Sequence, residues 1–235
     1  MEIKILATGS SGNCYHISDG VSELLIECGI KYTEILRKLD YKMSNISAVL
    51  ISHSHEDHSL SVNEFILYGY DLVMPPETAV KLLLNGNPNV FTPLPGRKIT
   101  VGTFSIVPFE LVHFNNDGSD CACYGYLIAS KATREKLLFA TDTAYIRNQF
   151  RGVTHMLLEV NYMSEMIGDF DDVVDEVEKR RLKSHMSLET AVEFLNSTDR
   201  TQLKALYAIH GSSTRLDKDK AYRVLEPYAE RVFIP

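Results

Sequence analysis

The chain has 235 residues, 45% of them hydrophobic, with 24 basic against 31 acidic residues and a net charge of −7. That length and apolar content suffice to bury a substantial core, in one large domain or two small ones. The acidic balance argues against a broad electrostatic footprint on nucleic acid, and no segment approaches the ~20 consecutive apolar residues of a membrane helix.

Short segments rich in Ile, Leu and Val come first: "IKILAT", "CYHIS", "ELLIEC" and "AVLIS", separated by turn formers such as "GSSGN" and "SDGVS". These predict strands. Between them, "KYTEILRKLD" carries Ile35, Leu36 and Leu39 at helical spacing. "SVNEFILYGY" and "PETAVKLLLN" predict two more helices, the second with Pro76 in its first turn. A second batch of strands follows in "ITVGTFSIVPFEL", "CYGYLIAS", "KLLFAT" and "HMLLEV". "DFDDVVDEVEKRRLK" has acids at its front and bases at its back, which suits a solvated helix. The amphipathic helix "SLETAVEFLNS", the strand "ALYAIH" and a last helix in "DKDKAYRVLEPYA" complete the pattern. Two batches of strands, each followed by helices, predict two sheets packed face to face with helices outside. The expected fold class is therefore α/β, a four-layer αββα sandwich formed as a single domain over residues 1–235.

The four cysteines are Cys14, Cys28, Cys121 and Cys123. With no signal-like opening segment, they fit a cytoplasmic protein with reduced thiols. Cys121 and Cys123 stand one residue apart, as two side chains on one face of a strand do.

The densest chemistry lies in "HSHEDH", residues 53–58, directly after the apolar strand "AVLIS". Three histidines and two carboxylates in six positions cannot be a regular buried strand, because their polar groups would lack partners. They make sense as a loop wrapped around cations, and neutral imidazoles with carboxylates suit Zn, Mn or Fe. A two-metal site needs further ligands at strand ends downstream. His113 follows "FELV", Asp142 follows "LLFAT", His185 precedes a helix and His210 follows "ALYAI". Six of the eight histidines thus lie in the motif or at an element boundary.

"HSHEDH" matches the HxHxDH signature, and on it the chain resembles the metallo-β-lactamase superfamily. "ATGSSGNCYHI", "IECGI", "ATDTAYI", "LLEVNY" and "SHMSLETA" resemble its YycJ/WalJ-type branch, which is related to cyclic-phosphate phosphodiesterases and ribonuclease Z. The resemblance implies two divalent metal ions, Zn or Mn. His53, His55 and His113 would hold one ion, Asp57, His58 and His210 the other, and Asp142 would bridge them. The implied catalytic set is His185, Asp57 and Glu159. "SHMSLETA" is similar to the box whose histidine protonates the leaving oxygen in ribonuclease Z, and Glu159 matches the carboxylate that orients this histidine in relatives. A carboxylate facing solvent at a strand end is the competing reading of Glu159. Likewise, "TGSSGN" is either a plain hairpin turn or a loop packed near the metal site, and Asn161 and Ser212 have the same standing. Arg180 and Arg181 belong to a surface helix end or contact phosphate.

The expected activity is hydrolysis of a phosphodiester, with water attacking and the metals lowering its pKa. A small cyclic nucleotide or cyclic phosphate is the first substrate expectation, since the chain is acidic and lacks an inserted arm for gripping tRNA. A DNA exonuclease of the YycJ/WalJ type is the alternative, opposed by the lack of a Lys/Arg cluster; "EKRRLK" is short and interleaved with acid. A binding module that has lost its chemistry is the third, disfavoured because every ligand position is filled. No membrane partner is expected, and relatives are commonly homodimers.

Overall fold

A computed structural model describes residues 1–115, 117–167, 182 and 184–235. The helix expected over residues 169–183, with Arg180 and Arg181, lies outside the described residues apart from Leu182. Two compact units divide the chain: Met1–Glu110 with Tyr126–Glu135, and Leu111–Gly125 with Lys136–Pro235.

The first unit opens with β1 (Glu2–Ala7), β2 (Cys14–Ser18) and β3 (Glu23–Ile26). Helix α1 (Tyr32–Lys38) leads to β4 (Ile46–Leu50). These strands form a six-stranded sheet with β5 (Leu72–Val73) and β6 (Val90–Phe91), in the order β1-β2-β3-β4-β5-β6. β1 to β3 pair antiparallel as a meander, whereas β3 to β6 run parallel, so the C-terminal ends of β3 and β4 lie side by side. That change of direction decides where the polar loops emerge.

The short helices α2 (Glu56–Ser59), α3 (Val62–Leu67) and α4 (Pro76–Lys81) belong to the same unit. Leu25, Ile35, Val49, Ile51, Phe65 and Met74 meet in one buried apolar cluster that includes Cys14 and Cys28. Two features differ from the sequence expectation. The histidine motif is not all loop, because α2 winds its second half into one helical turn. The run "ITVGTFSIVPFEL" is not one strand: it folds at Gly102, where φ is +54°, into an antiparallel hairpin of β7 (Ile99–Val101) and β8 (Phe104–Phe114). An added Cβ at Gly102 would meet the Ser22 hydroxyl at 2.4 Å, which is why glycine holds that corner.

The second sheet has the order β13-β12-β11-β10-β9-β8-β7, where β9 is Asp120–Ser130, β10 Lys136–Ala140, β11 His155–Glu159, β12 Ala205–Ile209 and β13 Arg231–Phe233. Within the second unit, β10, β11, β12 and β13 are consecutively parallel. Strands β10 and β11 are nearly unbroken hydrophobic runs and are almost wholly buried, as parallel strands covered on both faces must be. Helix α5 (Leu188–Ser197) starts at Ser187, whose hydroxyl accepts the Thr190 amide at 3.1 Å. Helix α6 (Lys218–Leu225) starts at Asp217, whose carboxylate accepts the Lys220 amide at 3.0 Å. All four cysteines are buried, Cys121 and Cys123 on β9. Among the described residues, no helix is long and apolar enough to cross a membrane.

Candidate metal centre

In the first unit, the parallel pair β3 and β4 delivers two polar segments to one end of the sheet. Backbone bonds register them: the Glu27 amide donates to the Leu50 carbonyl at 2.8 Å, and the Cys28 amide to the His58 carbonyl at 2.9 Å. Tyr126 anchors the point of departure, its hydroxyl donating to the Ile51 carbonyl at 2.6 Å. Past it, Ser52 bonds His53 Nδ1 at 2.9 Å, and the His53 ring lies 4.6 Å from that of His55 and 4.3 Å from that of His58, centroid to centroid. The turn of α2 places Asp57 Oδ2 3.2 Å from His58 Nε2. His53, His55, Asp57 and His58 are therefore brought together, with His53 and His58 fully buried.

Two glycines allow this closeness. A Cβ on Gly29 would lie 1.7 Å from the Asp57 carbonyl oxygen, and one on Gly12 would lie 2.3 Å from the Gly29 carbonyl oxygen. The "TGSSGN" loop thus packs against the histidine motif. Asn13 closes the contact, its amide nitrogen 3.2 Å from the Asp57 carbonyl and 3.3 Å from His58 Nε2 while its oxygen accepts from the Gly9 amide and the Tyr15 hydroxyl.

Sequence reasoning missed Glu27. It is fully buried, its carboxylate accepts the Ser52 amide at 3.2 Å, and Oε1 lies 3.6 Å from His58 Nδ1. Burial pushes its pKa up, and the contacts with His58 and Ser52 only partly offset that. Its φ of +62° is a left-handed conformation that costs a non-glycine residue energy and recurs at functional sites. Its sequence signal was a carboxylate at the end of the apolar run "ELLIEC", whereas Glu159 was singled out by the resemblance of "LLEVNY" to relatives.

In the second unit, the parallel strands deliver their ligands in the same manner. Asp142 follows β10, Glu159 ends β11 and His210 follows β12, all at carboxyl ends, where open parallel sheets place their sites. Asp142 and His210 also have positive φ, +49° and +55°. His185 arrives from a segment zipped to the chain beyond β11: the Asn161 amide donates to the Met186 carbonyl, and the Leu188 amide to the Tyr162 carbonyl, both at 2.8 Å. Ligand atoms of Asp142, Glu159, His185 and His210 all lie within 4.8 Å of one another. His113, on β8, has Nε2 3.9 Å from Asp142 Oδ2.

Glu159 is fully buried and does not face solvent. Oε1 lies 2.6 Å from His185 Nδ1 and 3.0 Å from His210 Nδ1, while Oε2 accepts the Thr143 amide at 2.9 Å and the Met186 amide at 3.4 Å. Burial alone would raise its pKa, but the charge and hydrogen bond of His185, then the bond from His210, outweigh it and hold the carboxyl below its usual range. His185 moves oppositely: burial works to lower its pKa, and Glu159, with Asp142 behind it, holds the ring above the ordinary value. Asn161 steadies His210 by donating to its carbonyl at 2.7 Å, and the Ser212 amide donates to the Asn161 carbonyl at 2.8 Å. Arg180 and Arg181 lie outside the described residues.

Buried imidazoles and carboxylates with converging ligand atoms form a donor set that fits a divalent transition metal. Residues 23–210 match the family described as Beta-lactamase superfamily domain, and the chain belongs to that family. It is 25% identical to the exodeoxyribonuclease WalJ of Streptococcus pneumoniae serotype 2 over 239 residues, spanning 94% of this chain and 85% of that relative. Among solved structures, the metallo-beta-lactamase fold protein YhfI from Bacillus subtilis aligns with a TM-score of 0.69 at 16% identity, over 99% of this chain and 95% of its own. A diphosphatase from the PhnP family aligns at 0.66 and 15% identity, covering 99% of this chain and 94% of that one. The fold is that of the metallo-β-lactamases.

Proposed function

We propose that this protein is a divalent-metal-dependent phosphodiester hydrolase. The observation that carries the reading is the buried Glu159–His185 pair held beside Asp142 and His210. In this reading His53, His55 and His113 hold one ion, Asp57, His58 and His210 the second, and Asp142 both, with Zn or Mn as the metal. Such a pair, when bound, supplies Lewis acidity toward the phosphoryl oxygens and toward an attacking water.

The chain's own residues do the rest. Glu159 accepts the Nδ1 proton of His185 and fixes the ring's tautomer, leaving Nε2 to deliver a proton to the leaving oxygen. Asp57 and His58 keep their mutual geometry through the turn of α2, with Asn13 on the Asp57 carbonyl, and Asn161 holds the His210 carbonyl.

The acidic balance supports a small cyclic nucleotide or cyclic phosphate as substrate. A second reading, exonuclease action on DNA, is favoured by the likeness to exodeoxyribonuclease WalJ across 94% of the chain. The reading also includes a cytoplasmic homodimer, which sedimentation of the metal-loaded protein tests.

Metal-loaded protein should hydrolyse bis-p-nitrophenyl phosphate, and His185→Ala should abolish that turnover. A panel of cyclic mononucleotides against end-labelled single-stranded and duplex DNA then separates the two substrates. Inertness toward every diester with metal bound would end this reading in favour of a binding module.

A further inference from the structure

Beside the histidine motif, within the first unit, lies a cavity of about 340 Å³ lined by Ser10, Ser11, Gly29, Glu56, Asp57 and Leu60. It falls at the small end of the range for ligand pockets, the scale of one nucleoside rather than a strand. Neither the proposed ligand set nor His185 and Glu159 accounts for Ser10, Ser11, Glu56 or Leu60.

The walls have unlike chemistry. Glu56 and Leu60 stand four residues apart on the turn of α2, joined by the Leu60 amide to Glu56 carbonyl bond at 2.9 Å, so both face the same way. One gives an exposed carboxylate. The other gives an apolar side chain that is 39% exposed. Ser10 and Ser11, both exposed, complete the lining with Gly29 and Asp57. A ligand that fits is flat and apolar on its face, carries N–H donors on its edge, and has hydroxyls at its other end. A nucleoside has that make-up.

The carboxylate decides which base. Ionised, it accepts hydrogen bonds and cannot donate. Guanine presents two neighbouring donors, N1–H and the N2 amino group, to one carboxylate; uracil and thymine flank their single N–H with two carbonyl oxygens, which Glu56 repels. We propose that this cavity is a nucleobase subsite in which Leu60 packs on the base and Glu56 selects guanine over uracil or thymine. This inference rests on the phosphodiester reading above. It is indifferent to whether the base belongs to a mononucleotide or to a strand's terminal nucleotide.

The test compares kcat/KM for guanosine and uridine 3′,5′-cyclic monophosphates in wild type and Glu56→Gln. A hydrogen bond to a charged group lost to the wrong base is a difference of roughly ten-fold or more, so wild type should favour guanine by at least that factor. Glu56→Gln, whose amide can donate to a uracil carbonyl, should bring the ratio near one. Leu60→Ala should weaken both substrates alike and preserve the ratio. A metal-independent arm uses saturation-transfer NMR on metal-free protein, which should show guanosine bound and uridine not, with the difference lost in Glu56→Gln.

Equal use of both bases by an enzyme that hydrolyses bis-p-nitrophenyl phosphate would overturn the subsite and leave the phosphodiester reading intact. So would a base preference unchanged in Glu56→Gln. Inertness toward every diester, with guanosine still selected in the NMR arm, would do the reverse.

Discussion

Each unit ends a parallel strand in a buried carboxylate that faces histidine, but the two carboxylates are held differently. Glu159, the last residue of β11, is met by two imidazole nitrogens at 2.6 and 3.0 Å and by two backbone amides. Glu27, after β3, accepts the Ser52 amide at 3.2 Å and has the His58 ring at the longer distance of 3.6 Å. Burial is complete in both cases, so the difference lies in satisfaction. Glu159 gathers enough donors to stay ionised against its desolvation, whereas Glu27 does not and its carboxyl is pushed up. The same strand-end device therefore does two jobs. In the second unit it fixes the tautomer and angle of two rings, and in the first it ties the start of the histidine motif to the neighbouring strand.

The largest effects should come from the second unit. Asp142→Ala removes a carboxylate 3.2 Å from His210 Nδ1 and 3.9 Å from His113 Nε2, and should lose bound metal together with more than ~100-fold in activity. Metal analysis by plasma emission and kcat/KM on one preparation check it; full activity would sink the ligand assignment. Glu159→Gln comes next. The amide keeps the shape but offers one acceptor where two oxygens now serve four donors, so a loss of roughly 10- to 100-fold is expected, in kcat more than in KM. Glu27→Gln should cost less than about ten-fold, because the Ser52 amide can still donate to the remaining side-chain oxygen. Equal losses in the two glutamine variants would erase the distinction between the units.

How much of this was legible beforehand follows from how local each signal is. "HSHEDH" is dense enough to identify itself, and Asp142 and His210 each follow an apolar strand, a pattern visible in one dimension, while His113 lies within the end of β8. α5 announced itself through the amphipathic run "SLETAVEFLNS". What stayed hidden depends on distant partners. Glu27 acquires its role from Ser52 and His58, 25 and 31 residues away, and its left-handed backbone has no sequence mark in a non-glycine residue. β5 and β6, two residues each, are too short for alternation to register, and β13 spans only three. The β7–β8 corner vanished into an apolar run because one glycine, rather than a turn cluster, makes it. α2 was invisible because its single turn is made of the ligand-type residues that argued for a loop.

A third carboxylate separates burial from chemistry. Asp19 lies at the opposite end of the β2–β3 hairpin from Glu27, in the same unit, with no histidine in its bonding set. Oδ1 accepts the Val21 and Ser22 amides at 3.0 and 2.9 Å, and Oδ2 accepts the Thr103 and Ser130 hydroxyls at 2.6 Å each. Burial opposes ionisation, and the bonds from Ser130, Ser22 and Thr103 outweigh it, so the carboxyl sits below its ordinary value. A folded-state pKa below the unfolded one gives stability that is fully present above the unfolded value and disappears as pH falls through the folded one. Asp19→Asn should therefore lower the unfolding free energy by about 1–2 kcal/mol at neutral pH. The gap to wild type should close below about pH 4, the unfolded aspartate range, and kcat/KM should be unchanged. Urea melts at several pH values measure the gap. If Asp19→Asn instead lost activity in proportion to Glu27→Gln, the effect of Glu27 would belong to hairpin stability and not to its contact with the histidine motif.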